Sequence, residues 1–591
     1  MFRSYLQIAF AAFFAAGVLH AAENEKPSEA DDSVSLMPGA QAPLLNASVA
    51  SEYALALDPG EEWVSEAVQK RLAKTWISIL KGEVETPEIR SSGLQVRLVE
   101  ELSDGPWMAF RGEPTSIDVA LADAILSWKA PWDSEAAPRG AAKVVGVEPA
   151  PNGFRTRILT QLAGANQAGL VEVDFTIGLD WSLEDEASEP VLIGSQGVED
   201  FTEARFNSER RPLFADRTGA IFSGRKVFTE NLRHGLDYWR HRVEAPWGAG
   251  IVSESGIAVG DANGDGWDDV FVPRPEGLPC ALLIQQSDGS VEDVAASSGL
   301  NLLEPCRSAL FLDLDNDGDQ DLVLGVDRGI LAFENQGDLR FERRTRAPFP
   351  SKIDSLAAAD YDGDGWIDLY VCGHTPSGAE HSASVLGAPR PIYDARNGQP
   401  NQLLRNVGSF RFLDMTIASG LALENNRFSY AASWEDYDND GDLDLYVAND
   451  FGRNQLFRND GSGVFEDVSK AAGVEDIASG MSVSWGDYNA DGWMDLYVGN
   501  MFSSAGERIA YQRQFREGAN PAELAAIRRM ARGNTLFENN RDGTFRDVSV
   551  EAGVTMGRWA WSSLFVDFNG DGWEDILIAN GFVSNERLDD L

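Results

Sequence analysis

The chain has 591 residues, with 94 Asp or Glu against 49 Lys or Arg, a formal net charge of −45, and 43% hydrophobic residues. That length exceeds one ordinary core, so two or more domains or one large repeat array are expected. So negative a balance excludes nucleic-acid binding through a general field and makes cations the natural partners, with a solubility adaptation taking a share of the excess.

Residues 1–22 have the layout of a cleaved secretory signal. Arg3 is a short positive start, Tyr5 to Leu19 is an apolar run too short to span a bilayer comfortably, and the small residues Ala21 and Ala22 follow an imperfect His20. No later run reaches membrane-spanning length. The expected location is therefore secreted, periplasmic or cell-surface, without a transmembrane segment. Residues 23–48, rich in Glu, Asp, Ser and Pro, read as a disordered linker. Only Cys280, Cys306 and Cys372 are available for disulfides. One pair with a thiol left over and three free buried thiols both fit.

Residues 49–215 carry no repeat and read as a small α+β domain. Within 61–82, Val64, Ala67, Val68, Leu72, Trp76 and Leu80 recur at helical spacing. "FRTRILTQL" and "GLVEVDFTIGLDWSL" then read as strands with partial alternation. One helix followed by curved strands resembles the nuclear-transport-factor-2-like cone fold.

Residues 218–591 change character. A nine-residue acidic stretch recurs six times, as DANGDGWDD, DLDNDGDQD, DYDGDGWID, DYDNDGDLD, DYNADGWMD and DFNGDGWED. Side-chain oxygens fall at positions 1, 3, 5 and 9. They are Asp261, Asn263, Asp265 and Asp269; Asp313, Asp315, Asp317 and Asp321; Asp360, Asp362, Asp364 and Asp368; Asp436, Asp438, Asp440 and Asp444; Asp487, Asn489, Asp491 and Asp495; and Asp567, Asn569, Asp571 and Asp575. Gly fills position 6 throughout. Alternate oxygens on a tight turn converge on one point, and an all-oxygen set selects Ca2+ over zinc or copper. The position-7 carbonyl is a further expected ligand, and its side chain is Trp267, Trp366, Trp493 or Trp573 in four copies. Six ions would move the charge from −45 to −33. Asp-Gly stretches are often simple turns, but six copies sharing four oxygen positions argue against that. An EF-hand needs a Glu at position 12 and flanking helices; here position 12 is apolar in every copy and opens no helix.

Between copies lies a second module, clearest from Asn401, Asn454 and Asn534: a short strand, a Gly turn, a second strand and a bend. Each period of about 50 residues thus holds four strands. Together the two modules resemble the FG-GAP/VCBS repeat, the calcium-loop blade of integrin α-subunit propellers, and in particular the cartilage acidic protein 1 (ASPIC/UnbV-associated) family. No ASPIC/UnbV segment is recognised after Gly581. The resemblance implies a mostly-β chain whose four-stranded blades form a β-propeller. Six blades are expected, with Gly219–Leu236 supplying the outer strands of the last one; seven would need a blade from residues before 218.

The acidic loops fall on one end of such a ring, and the long insertions 374–400 and 501–533 fall on the other. The second insertion carries Arg508, Arg513, Arg516, Arg528, Arg529 and Arg532, either a docking site for an anionic partner or an ordinary helix paired with acids. The leading expectation is a binding, adhesion or scaffold module whose Ca2+ is structural, with an extracellular protein or glycan as partner. The alternative is a carbohydrate-active protein: a lectin, polysaccharide lyase or hydrolase. Outside the signal, His234, His241, His374 and His381 stand beside no nucleophile motif, so the reading leans away from an enzyme.

Overall fold

A computed structural model describes most of residues 66–580. Residues 1–65 and 581–591 lie outside the described residues, as do inner stretches such as 130–138, 240–255, 376–388, 503–509 and 511–519. The expected signal and linker therefore lie outside them.

The N-terminal part opens with α1 (Glu66–Lys81), which buries Leu72, Trp76, Ile79 and Leu80 at helical spacing. Strands β1 (Val96–Glu101) and β2 (Trp107–Pro114) precede α2 (Leu121–Trp128). Four long strands follow: β3 (Arg139–Ala150), β4 (Gly153–Asn166), β5 (Gly169–Ser182) and β6 (Val191–Asn207). They form one antiparallel sheet in the order β1-β2-β6-β5-β4-β3. Register shifts along β5 and β6 mark bulges, the usual device for bending a sheet around a helix. Trp76 donates from Nε1 to Thr160 Oγ1 at 3.0 Å, so the polar tip of the helix's largest residue is satisfied inside the core.

From residue 256 the described residues hold six successive antiparallel sheets and one small extra pair, Gly452–Arg453 with Ile477–Ala478. Sheet 1 comprises 258–260, 269–272, 281–285 and 291–293. Sheet 2 comprises 306–312, 321–335 and 341–352, its second and third strands merged into one run. Sheets 3, 4 and 5 are four-stranded, beginning at Ser355, Phe428 and Gly480. Sheet 6 has two strands among the described residues, 560–566 and 575–580. The chain is thus mostly β, with the repeated blade of a propeller.

Each sheet is apolar on both faces, and one apolar layer joins it to the next. Phe271 and Leu282 of sheet 1 meet Leu322 and Leu324 of sheet 2. Val323 and Ile330 meet Leu356 and Leu369 of sheet 3, and Tyr370 and Leu403 meet Leu445 and Phe457 of sheet 4. Tyr446 and Leu456 meet Leu496 and Phe537 of sheet 5, and Tyr497 and Leu536 meet Phe565 of sheet 6. Burying each such side chain is worth about 1.5–3 kcal/mol, so this series of layers is the main store of stability.

The segment 219–236 departs from expectation. Its described residues, to His234, are helical at Thr218–Phe222 and Val227–Leu232 and supply no strand to sheet 6. Phe222 stacks on Phe228 at 4.5 Å, and Phe222 and Leu232 cover the face of sheet 1 formed by Val270, Val272, Ala281 and Leu283. Phe228 and Leu232 stand four residues apart, the spacing of one helical face rather than of a strand.

Candidate metal centres

Every acidic loop connects the first and second strands of its sheet, so all of them emerge at one end. The connections between second and third strands, including both insertions, emerge at the other. The position-1 carboxylate organises the loop. Asp261 accepts from the backbone N–H of Asp265 (3.0 Å) and Gly266 (2.7 Å), and Asp313, Asp360, Asp436 and Asp487 accept from the same two positions of their own loops. This curl needs a left-handed residue at position 6, where glycine φ runs from 85° to 96°. Position 4 is left-handed too (Gly264, Asn316, Gly363, Asn439, Ala490, Gly570), a requirement the sequence reading missed although Gly or Asn fills five of the six copies.

In loops 2, 3 and 4 the oxygens of positions 1, 3 and 9 converge. One atom each from Asp313, Asp315 and Asp321, from Asp360, Asp362 and Asp368, and from Asp436, Asp438 and Asp444 lie within 4.8 Å of one another. One oxygen of each position-3 residue, Asp315, Asp362 and Asp438, is buried without a hydrogen-bond partner, as is one of Asp495. An unpaired buried carboxylate oxygen is costly unless a cation meets it, so the donor sets suit a hard divalent ion. Position 5 lies outside these clusters. Asp265, Asp317, Asp364, Asp440 and Asp491 instead accept from the position-7 N–H. Loops 1 and 5 have the same curl with Asn263 and Asn489 at position 3. In loop 6, Asp567 accepts from Gly572 N–H and Asp575 from Phe568 N–H, while Asn569 and Asp571 lie outside the described residues.

The position-9 aspartates are the most buried members. Burial pushes the carboxyls of Asp269, Asp321, Asp368 and Asp495 up to about 7 and that of Asp444 to about 8, with neighbouring loop aspartates adding to the rise and backbone N–H donors opposing it. Each accepts from a backbone N–H at the end of the third strand: Gln285, Asn335, Asn406, Asn539 and Asn459, at 2.7–2.9 Å. Four of those donors are asparagines whose role the sequence did not disclose. Their Nδ2 atoms reach the preceding sheet, donating to the carbonyls of Ala262, Leu314, Tyr361 and Tyr437 at 2.8–3.0 Å. The loop of one blade is thereby fastened to the third strand of the next.

Comparison with known proteins agrees with this repeat. The family model for the FG-GAP-like repeat matches residues 313–371, 436–498 and 522–578. Cartilage acidic protein 1 of Mus musculus is 41% identical over a region covering 55% of this chain and 57% of that protein. The chain thus carries stretches that match the FG-GAP-like repeat and is similar to cartilage acidic protein 1. The Xenopus tropicalis protein of that name is 30% identical over 20% of this chain and 19% of its own length. The matched regions thus span between about a fifth and somewhat over half of these relatives. Among solved structures, the Dos1 propeller is 10% identical, with TM-score 0.29, covering 53% of this chain and 63% of that one.

Other expected features of this chain are redistributed. Trp267 and Trp573 are 48% and 55% exposed, whereas Trp366 and Trp493 are half-buried. Two loops have basic neighbours of their own. Arg405 contacts Asp362 (2.8 Å) and Asp364 (2.7 Å), and Arg541 contacts Asp491 at 2.6 Å. At the other end, the second insertion holds a helix at Pro521–Ala531, whereas Arg508, Arg513 and Arg516 lie outside the described residues. Arg529 binds buried Asp476 at 2.8 Å, Arg532 binds Asp547 at 2.8 Å and Arg528 donates to Ala510 O. Arg529 and Arg532 thus tie the insertion to Asp547 of sheet 5, Arg529 also to Asp476 in the connection before that sheet, and Arg528 bonds within the insertion. His374 packs beside Tyr430 and meets Asp450 at 3.3 Å; His234 stacks on Tyr238 at 3.7 Å. His241 and His381 lie outside the described residues.

Proposed function

We propose that the chain is an exported calcium-binding β-propeller acting as a binding, adhesion or scaffold module, with about six structural Ca2+ ions in its blade loops. The convergence of positions 1, 3 and 9 in three loops, with buried unpaired oxygens facing one another's charge, carries the reading. The ligand set proposed is the full set of Asp and Asn at positions 1, 3, 5 and 9 of all six loops, with the position-7 carbonyl. Ions so placed stabilise the blades and leave recognition to the opposite end, where 374–400 and 501–533 would meet an extracellular protein or glycan. Residues 49–215 are proposed as a separate α+β module and 218–591 as the propeller, each sheet a blade. Among the described residues no helix is long and apolar enough to cross a membrane, which is compatible with export. Calorimetric titration of chelated full-length chain tests the reading: about six Ca2+ should bind, with a parallel rise in the unfolding midpoint. A chain that takes up no Ca2+ after chelation overturns it.

A carbohydrate-binding alternative draws on one cluster at the insertion end. Half-buried Tyr430, Trp559 and Trp561 lie in series, 5.7 and 5.9 Å between neighbouring rings, beside the His374–Asp450 pair. Aromatic faces next to a carboxylate suit a sugar ring. Glycan binding abolished by Trp561→Ala, with calcium uptake unchanged, supports it; glycan binding unaffected by that change removes it.

A further inference from the structure

At the insertion end, successive sheets are joined by polar cross-links. Arg307 at the start of sheet 2 reaches Asp354 at the start of sheet 3 at 2.9 Å. His374 after sheet 3's second strand reaches Asp450 of sheet 4 at 3.3 Å, and Arg427 beside sheet 4 reaches Asp394 at 2.8 Å. The junction of sheets 1 and 2 holds something different at the same level. Cys280 immediately precedes the third strand of sheet 1, and Cys306 opens the first strand of sheet 2. Both are buried in the apolar layer between these sheets, at 2% and 0% exposure. Backbone bonds register the two segments against each other: Cys280 N–H donates to Leu302 O and Cys306 N–H to Arg274 O, each at 3.1 Å. All three cysteines are free in this structure, and Cys280 and Cys306 share the buried layer of Phe271, Leu282, Leu322 and Leu324.

We propose that Cys280 and Cys306 form a disulfide that staples sheet 1 to sheet 2 at the end of the propeller away from the calcium loops, leaving Cys372 as the single free thiol. Either thiolate can attack first. It displaces one thiolate from the disulfide of a thiol–disulfide oxidoreductase or oxidised glutathione, forming a mixed disulfide. The other cysteine then loses its proton and attacks the sulfur of the first, expelling the second donor thiolate. Two protein thiols are oxidised, and one donor disulfide is reduced to two thiols. Because both sulfurs are buried in the folded layer, exchange occurs before the junction closes, and the finished bond is shielded from reductant. Cys372 ends the second strand of sheet 3, is buried in a different layer beside Tyr361 and Leu445, and has burial raising its thiol.

The test uses the full chain, exported to an oxidising compartment behind a heterologous leader so that the result does not depend on its own N-terminus. It is alkylated on harvest, denatured and alkylated again with a mass-distinct reagent. The expected result is one alkylatable thiol per chain, at Cys372, rising to three after reduction, with a cross-linked peptide pair containing Cys280 and Cys306. Reduction in mild denaturant should lower the unfolding midpoint by a few degrees, and the Cys280→Ser/Cys306→Ser variant should lose that sensitivity. Three alkylatable thiols before reduction, or a cross-link involving Cys372, overturns the proposal. The count is made on the unaltered chain, so it stands even where the double variant folds poorly, and it is independent of calcium uptake.

Discussion

The two ends of the same sheets treat buried carboxylates in opposite ways. At the insertion end Asp354, Asp394, Asp450 and Asp476 are each met by a side chain of this protein: Arg307, Arg427, His374 and Arg529. At the loop end Asp315, Asp362, Asp438 and Asp495 each leave a buried oxygen unmatched. Burial of a charge demands a counter-charge at either end. One end carries its own, and at the other the proposed calcium ions would supply it, which would make half of each blade conditional on an ion and half not.

The sharpest way to break that comparison is to remove divalent ions. Each site adds about 2.7 kcal/mol when free ion stands 100-fold above its dissociation constant, so several sites together should shift the midpoint more than any single substitution. Chelation should therefore produce the largest fall, reversed by Ca2+ and poorly by Mg2+, which favours few carboxylates and retained water. An unchanged melting curve after exhaustive chelation would erase the difference between the ends.

Acidity should separate the two ends next. In the ion-free chain the position-9 carboxyls keep their protons to about 7, or about 8 for Asp444, against an ordinary value of 3.8. The folded chain then binds more protons than the unfolded one across that window, and stability falls as pH rises through it. Chelated protein should melt higher at pH 5 than at pH 8. Protons and calcium compete for the same oxygens, so the calcium-loaded chain should lose its ion-dependent stabilisation as pH drops below about 7. Parallel melts across pH 5–8, with and without Ca2+, check the crossing of the two trends.

At the insertion end a substitution should act without reference to calcium. Asp476→Ala takes one of two acids from Arg529, which keeps Asp547 at 3.3 Å, and removes an acceptor from Asn500 Nδ2. Breaking a buried pair from one side costs about 3–5 kcal/mol, and the remaining acid holds the loss to the low end of that range or below. The expected result is a lower midpoint, the same in calcium as in chelator, with ion stoichiometry unaltered. A change in the number of ions bound would show that the ends are coupled.

How much of this was legible differs along the chain for physical reasons. The loops and the strand pair after each were readable because six copies repeat the same local spacing, and local spacing fixes a turn and its strands. The asparagines Asn335, Asn406, Asn459 and Asn539 were visible as part of the repeat, but their task was not, because each partner carbonyl lies 73 to 102 residues earlier in the chain. Distance along the chain likewise hid Asp476, the partner of Arg529, which lies before sheet 5. Segment 219–236 misled because a Gly followed by paired apolar residues mimics the outer-strand pattern, whereas the spacing of Phe228 and Leu232 was the better guide. Half-exposure of Trp267 and Trp573 reflects how neighbouring loops are set, which no single repeat encodes.

The smallest effect concerns one of the two loops that mix the two strategies. Arg405, on the third strand of sheet 3, lies on Asp362 and Asp364, so loop 3 already has part of a counter-charge of its own making. A guanidinium on a ligand carboxylate competes with an incoming ion for the same lone pairs, although an alternative outcome is that it holds the loop in shape for the ion. The pair is partly exposed, with Arg405 at 34%, so its strength belongs with surface ion pairs, at roughly 0.2–1 kcal/mol. If competition dominates, Arg405→Gln tightens one calcium site by up to about fivefold while slightly lowering the stability of the chelated chain. If shaping dominates, the same change weakens that site and the ion-free chain hardly responds. Calorimetry on this variant beside the unaltered chain distinguishes the two by the sign of a single step in the titration, and a weakened site would mean that the loop end, too, relies in part on charge the protein supplies.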